Sequence, residues 1–294
     1  MVNKKSNGEK VFSVCNVLIM LLIIVITLYP MYYVLVCSLS KGSNLVGARG
    51  IILWPQGFDL SAYKAVFQNP NILTGYRTTL FVVIVGTILS VATTAIGAFV
   101  VTRKQYPLAK PLSYLMVFTM YFSGGMIPTY LVVNNILHLG DTLLALILPG
   151  MISVYNLLIM KANFQSIPDS LEEAARIDGA NDIRIFVQII LPLSQAVIAV
   201  MVLFYGVSYW NAWFEAMMYI RTRTLYPLQL ILREILLSNA TGTTGDGGGA
   251  GDQYMIGESI KYATIIVATL PILCLYPFIQ KYFVKGVMIG AVKG

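Results

Sequence analysis

The chain has 294 residues, of which 57% are hydrophobic and 11% charged, and it carries a formal net charge of +7. With a mean hydropathy of +0.75, this composition excludes an ordinary soluble domain. The basic excess does not indicate nucleic-acid binding, because lysine and arginine form no aromatic-interleaved patch.

Taken in chain order, the apolar stretches Val14–Val36, Thr79–Val101, Leu112–Val133, Thr142–Met160, Ile189–Tyr209 and Tyr262–Phe283 can each cross a hydrocarbon core roughly 30 Å thick. The expected fold class is therefore all-α: a polytopic membrane protein with six transmembrane helices and a cytoplasmic helix–turn–helix. Residues 1–13 read as an N-terminal tail, 14–283 as one membrane domain and 284–294 as a C-terminal tail. The first apolar run is too long for the core of a signal peptide. No small-residue cleavage site follows Tyr29-Pro30, so it reads as a retained anchor.

Placing the N-terminus inside puts Lys4, Lys5, Lys10, Arg103, Lys104, Lys110, Lys161, Arg176, Arg184, Lys281, Lys285 and Lys293 in the cytoplasm. These outnumber the basic residues left outside and lie on shorter segments, so both termini are expected inside. The external segment 38–78 holds the turn pairs Trp54-Pro55 and Asn69-Pro70 around a helix expected at Ser61–Phe67.

Two spans are interrupted. Ser123-Gly124-Gly125-Met126-Ile127-Pro128 breaks the third and Pro149-Gly150 the fourth. Backbone groups freed within a bilayer are tolerated only against protein or a water-filled path, so these breaks point to a cavity. Near them lie Tyr121, Tyr130, Tyr155 and Asn156, while Tyr205, Tyr209, Trp210, Asn211 and Trp213 cluster at the outer end of the fifth span. Aromatic rings and amides are suitable groups for a passing glycan, although Tyr and Trp at span ends also form the interfacial belt of any membrane protein. We take Tyr121, Tyr130, Tyr155, Asn156, Tyr205, Tyr209 and Asn211 as candidates for a solute path.

The loop at about 161–188 is the most patterned segment. Ser170 and Glu173 have capping-box spacing, so a helix should begin near Leu171. Gly179 should end that helix, because glycine accepts the left-handed conformation. A second short helix is expected from about Asp182, with Ile183 and Phe186 on its apolar face. Glu172, Glu173, Asp178 and Asp182 make the hairpin unsuited to anionic headgroups and suited to a protein partner.

The second external segment, 210–261, should hold a helix at Leu228–Leu237 followed by a flexible Gly/Thr-rich stretch, Ala240–Gly251. Several chemistries are missing. No ionisable side chain lies near the centre of a span, as ion-coupled carriers usually require. No G-x-x-x-x-G-K-[ST] cradle is present, so ATP hydrolysis within the chain is not expected. Cys15, Cys37 and Cys274 have no metal-ligand spacing, and His138 stands alone in a turn, so no metal or other cofactor is expected.

In frame, Glu173-Ala174-Ala175, Gly179, Ile189, Leu191 and Pro192 resemble the E-A-A-x3-G-x9-I-x-L-P signature of ABC importer permeases. Trp210-Asn211-Ala212-Trp213-Phe214 with Leu225-Tyr226-Pro227-Leu228-Gln229 is similar to carbohydrate permeases of the maltose-permease-G type. So are Gln280-Lys281-Tyr282-Phe283-Val284-Lys285-Gly286 and Gly290-Ala291-Val292-Lys293-Gly294. Pro107, Gly124-Gly125 and the tail after the first span look closest to permeases for complex or uronic-acid-containing oligosaccharides.

The resemblance implies a bacterial cytoplasmic-membrane subunit that forms half of an oligosaccharide path. Its partners would be a homologous second permease, two ATPase subunits and an extracytoplasmic solute-binding protein. Glu173, Ala174, Ala175, Asp178, Gly179, Ile189, Leu191 and Pro192 would couple the chain to an ATPase subunit, with the C-terminal tail as a second contact. The alternative on chemistry alone is a stand-alone secondary carrier or facilitator for a polar solute.

Overall fold

The computed structural model describes residues 7–45, 50–103, 105–241 and 258–274. Among these residues the structure is helical, with a single isolated β-bridge between Ser40 and Phe58. In chain order the helices are α1 (Asn7–Ser38), α2 (Gly42–Leu45), α3 (Ser61–Gln68), α4 (Pro70–Thr102), α5 (Ala109–Tyr121), α6 (Met126–Leu131), α7 (Leu144–Ile147) and α8 (Val154–Gln165). There follow α9 (Asp169–Ile177), α10 (Asp182–Ile185), α11 (Leu191–Leu193), α12 (Gln195–Trp210), α13 (Phe214–Tyr219) and α14 (Leu228–Thr241). Residues 258–274 form α15.

Two compact units are distinguishable, one from the described parts of Met1–Asn69 and Glu234–Thr269, the other from those of Pro70–Arg233 and Leu270–Gly294. In the first, the end of α1 is tied down by hydroxyls. Ser38 Oγ lies 2.7 Å from the Tyr63 hydroxyl. Ser40 Oγ donates to the Val36 carbonyl at 2.7 Å and accepts the Gln56 N–H at 3.0 Å. Val36, Cys37, Leu45 and Ile52 make its small core, against which Tyr33 and Tyr262 pack, their two rings edge-to-face with each other. The apolar length of α1 is exposed within the chain, as befits a surface that lipid or another subunit covers.

The second unit is organised around α4. Its face carrying Val82, Ala95, Ala98 and Phe99 packs with Leu157 and Met160 of α8 and Met201, Tyr205 and Tyr209 of α12 in one core. Gly86 sets the distance of closest approach. A Cβ there would meet the Tyr209 ring at 2.8 Å, so only glycine allows the ring to come this close to the helix. Polar contacts lock the same seam: Ser90 Oγ is 2.9 Å from the Tyr209 hydroxyl and Thr94 Oγ1 is 2.7 Å from that of Tyr205.

Of the expected spans, the first lies within α1 and the second within α4, both long and apolar enough to cross a membrane. The third and fifth are not continuous helices. α5 and the segment Met126–Ile136 diverge by 115°, and Asp182–Leu193 and α12 by 82°. The fourth is α7 and α8 with an irregular stretch between, at Pro149-Gly150. The sixth begins at residue 258, and its part beyond residue 274 lies outside the described residues, as do the C-terminal tail and residues 242–251 of the Gly/Thr-rich stretch. Ala240 and Thr241 belong to α14 rather than to a loop. The helices expected at Ser61–Phe67 and Leu228–Leu237 are present as α3 and α14.

Candidate functional site

A cavity of about 890 Å³ opens in the second unit where both interrupted spans meet α12. The α5–α6 break supplies Ser123, Gly125 and Thr129, and the α7–α8 break supplies Pro149, Gly150, Ser153 and Asn156. Opposite stand Phe204, Tyr205, Ser208 and Tyr209 of α12, followed by Asn211, Trp213 and Glu215. Gly125 is at φ 87°, a left-handed conformation that admits the sharp entry into α6. Helix-breaking residues thus turn backbone and small polar side chains toward a shared hollow, as the bilayer argument requires.

The wall is preorganised. The Tyr205 hydroxyl accepts the Ser153 N–H at 3.0 Å, which leaves its proton for Thr94 Oγ1. The Tyr209 hydroxyl donates to the Ile147 carbonyl at 3.2 Å and receives Ser90 Oγ–H. Trp213 is held from behind by the Arg233 guanidinium, 4.0 Å above its ring. Among the described residues, Glu215 is the one charged residue of the lining, with no lysine or arginine beside it. A larger groove of about 1130 Å³ along α4 and α12 is lined by aliphatic and aromatic residues, with Thr87 the only hydroxyl among the described residues. A polyhydroxylated solute there would leave most of its hydroxyls unpaired, so the polar cavity is the better solute site.

Of the residues expected on a solute path, Asn156, Tyr205, Tyr209 and Asn211 line this cavity. Tyr121, Tyr130 and Tyr155 do not. Tyr121 and Tyr155 are exposed, and Tyr130 stacks on Tyr219 with ring centroids 5.9 Å apart. Sequence reading missed Ser153 and Glu215, which carry no periodic signal. Outside the cavity lining, the Asp141 carboxylate ties two loops together, accepting the backbone N–H groups of Arg221 and Thr222, both at 2.8 Å, and the Thr222 hydroxyl at 2.6 Å. These bonds, the Thr222 hydroxyl foremost, hold the Asp141 carboxyl below the usual carboxylate range.

The second site is the α9–α10 hairpin. Gly179 adopts φ 80°. Its N–H bonds the Arg176 carbonyl at 3.0 Å and the Ala180 N–H bonds that of Ala175 at 2.9 Å, a Schellman ending for α9. The expected capping box does not form: α9 starts at Asp169 with Pro168 before it and no side-chain cap. Proline supplies the bend with a fixed φ, so Ser170 lies inside the helix, where it cannot cap. Asn181 caps α10 instead, accepting the Arg184 N–H at 2.8 Å. The apolar anchor of α10 is Ile185, fully buried, together with half-buried Phe186, whereas Ile183 is exposed. α10 continues through a π turn, Phe186–Ile190, into α11. Pro192 has no N–H for the carbonyl four residues back, and the wider turn accommodates its ring.

Glu173, Ala174, Asp178 and Pro192 are exposed within the chain, while Ala175, Ile189 and Leu191 are half-buried. Glu172 is turned inward and pairs with the Arg103 guanidinium just beyond α4. Asp182 accepts the Tyr106 hydroxyl at 2.7 Å and Arg176 at 2.5 Å, which hold its carboxyl below the usual range.

Residues 3–289 match the family described as "Binding-protein-dependent transport system inner membrane component". The chain belongs to this family. Its relatives include Protein LplC of Bacillus subtilis, 43% identical over 98% of this chain and 97% of that one. Another is the polygalacturonan/rhamnogalacturonan transport system permease protein YtcP of the same organism, 42% identical over 94% and 96%. Among solved structures, the fold is similar to a chain of a bacterial ABC transporter involved in the import of the acidic polysaccharide alginate. That likeness has a TM-score of 0.87 and 28% identity and covers 96% of this chain and 100% of the other.

Proposed function

We propose that this chain is one of two permease halves of an ATP-driven importer that carries oligosaccharides released from acidic polysaccharides. Family membership supports the inner-membrane transport role, and relatives that handle polygalacturonan/rhamnogalacturonan and alginate support the substrate class. The observation that carries the transport reading is the cavity itself, formed where two interrupted helices present hydroxyl, amide and aromatic groups beside α12. Asn156, Tyr205, Tyr209 and Asn211 would contact the sugar, with Trp213 offering a face to its C–H groups.

In this reading the helices cross the membrane six times with both ends inside, and the α9–α10 hairpin lies in the cytoplasm. Glu173, Ala174 and Asp178 would meet an ATPase subunit there, with Gly179 setting the turn. ATP is hydrolysed in two such subunits, a homologous permease supplies the other half of the path, and an extracytoplasmic protein delivers the solute. A family defined by dependence on a binding protein favours this assembly over a stand-alone carrier.

The test is reconstitution of the full assembly in proteoliposomes with the solute-binding protein and ATP. Uptake of oligogalacturonides or alginate oligosaccharides in preference to maltodextrins is expected. Transport by this chain alone, or indifference to uronate content, would sink the reading.

A further inference from the structure

The two neighbouring carboxylates Glu172 and Glu173 have separate surroundings. Glu173 is exposed, whereas the Glu172 side chain is only 15% exposed and faces Arg103, itself 10% exposed. The pairing is two-pronged: both terminal nitrogens of Arg103 meet the carboxylate, Nη2 donating to Oε1 at 2.8 Å. The guanidinium also lies 4.0 Å above the Phe99 ring, and Phe99 packs on Phe186, centroids 4.9 Å apart. Phe99 belongs to the last turn of α4 and Phe186 to the turn after α10. Tyr106, donating to Asp182, adds a further bond from the same segment. The end of α4 therefore holds both arms of the hairpin.

Taking a guanidinium out of water is unfavourable unless its partners are well placed, and Arg103 Nε has no acceptor among the described residues. An exposed arginine would tie down a loop with less desolvation. What the buried placement provides is a stiff planar joint between hairpin and helix. From that joint α4 runs as one helix to Thr94 and Ser90, which hold Tyr205 and Tyr209 in the cavity wall.

We propose that Arg103 and Glu172 form the joint through which displacement of the α9–α10 hairpin is transmitted along α4 to the cavity, as distinct from contact with the ATPase itself. Arg103 is a positioning residue: it touches neither solute nor nucleotide. This rests on the function proposed above.

The experiment compares Glu172→Gln, Arg103→Ala and the exchange Arg103→Glu/Glu172→Arg with wild type. Each is reconstituted in the full assembly, and ATPase co-purification, ATP hydrolysis and uptake are measured. The expected result is normal co-purification, with uptake per ATP hydrolysed falling roughly five- to tenfold in the single variants and recovering in part in the exchange. An unchanged ratio in both single variants overturns the proposal. So does lost co-purification with a normal ratio in the complexes that remain, which would make the pair a docking element. Failure of the wild-type chain to bind an ATPase subunit would instead reject the underlying function.

Discussion

Thr94 and Tyr205, 111 residues apart in sequence, share a buried hydrogen bond of 2.7 Å that joins α4 to the cavity wall. Because Tyr205 also receives the Ser153 N–H, its hydroxyl serves three helical segments at once. Tyr205→Phe should remove the shared partner of the buried Thr94 hydroxyl and the half-buried Ser153 N–H, a loss of about 1–3 kcal/mol. Thr94→Val should lower stability less, and the double variant should fall short of the sum of the singles because both remove one bond. Thermal unfolding in detergent or nanodiscs reads this directly; strict additivity would show that the bond carries no energy.

Gly86→Ala tests the close approach of α4 and Tyr209. The added methyl would lie 2.8 Å from the ring, so the ring or the helix must shift. Overpacking of this kind typically lowers stability by about 1–3 kcal/mol. The shift should also pull the Tyr209 hydroxyl from Ser90 and Ile147 and lower uptake. Replacing Tyr209 with leucine in the same chain should restore folding without restoring uptake. A thermal midpoint and uptake rate equal to wild type in Gly86→Ala would refute the packing argument.

Glu173→Ala and Gly179→Val separate contact from geometry in the hairpin. Glu173 is exposed, so its removal should leave unfolding unchanged while ATPase co-purification drops. Gly179→Val forces a β-branched residue to positive φ, a strain on the order of 1–3 kcal/mol, and should disturb the α9 ending as well as docking. Pull-down yields and hydrogen exchange across the hairpin distinguish the two. Wild-type uptake in both variants would remove the hairpin from coupling.

The Asp182 contacts imply a particular response to acid. Their effect is to lower the folded-state value of the carboxyl, the Tyr106 hydroxyl first and Arg176 after it. A depressed value means the contribution is complete above the ordinary carboxylate value of about 3.9 and is lost as pH falls through the folded value. The protection of α10 amides, taken relative to their intrinsic exchange rates at each pH, should therefore be flat from neutral pH to about pH 5 and fall only below about pH 4. Asp182→Asn should show reduced protection throughout that range. A fall centred near pH 6 would point to another group.

Much of this was legible in the sequence where a residue type has a single conformational use. Gly179 and Gly125 take the positive φ that their turns require, and Pro149-Gly150 marks an interruption that lines the cavity. Less visible was anything that depended on a partner far along the chain. Ser90 and Thr94 look like ordinary small polar residues of an apolar helix until Tyr209 and Tyr205 are placed against them. Arg103 reads as one more inside charge, although its partner lies 69 residues later. Ile183 and Ile185 are equally apolar, and only the direction in which Asn181 starts α10 decides which is buried. Tyr121 and Tyr155 lie close in sequence to the breaks, yet their side chains are exposed and do not line the cavity, a difference of side-chain direction that sequence spacing does not carry.

The seam between α4 and α12 also bears on how the chain is made. α4 leaves the ribosome before the tyrosines that Ser90 and Thr94 bond have been translated, 119 and 111 residues later. At elongation rates of about 5–20 residues per second, that interval lasts on the order of 5–25 s. Meanwhile the two hydroxyls can bond only their own helix carbonyls, one turn back, a bond that tends to bend a helix. During biogenesis α4 is thus an incomplete element awaiting its mate, and its hydroxyls exchange carbonyls of their own helix for tyrosine partners only once α12 is translated.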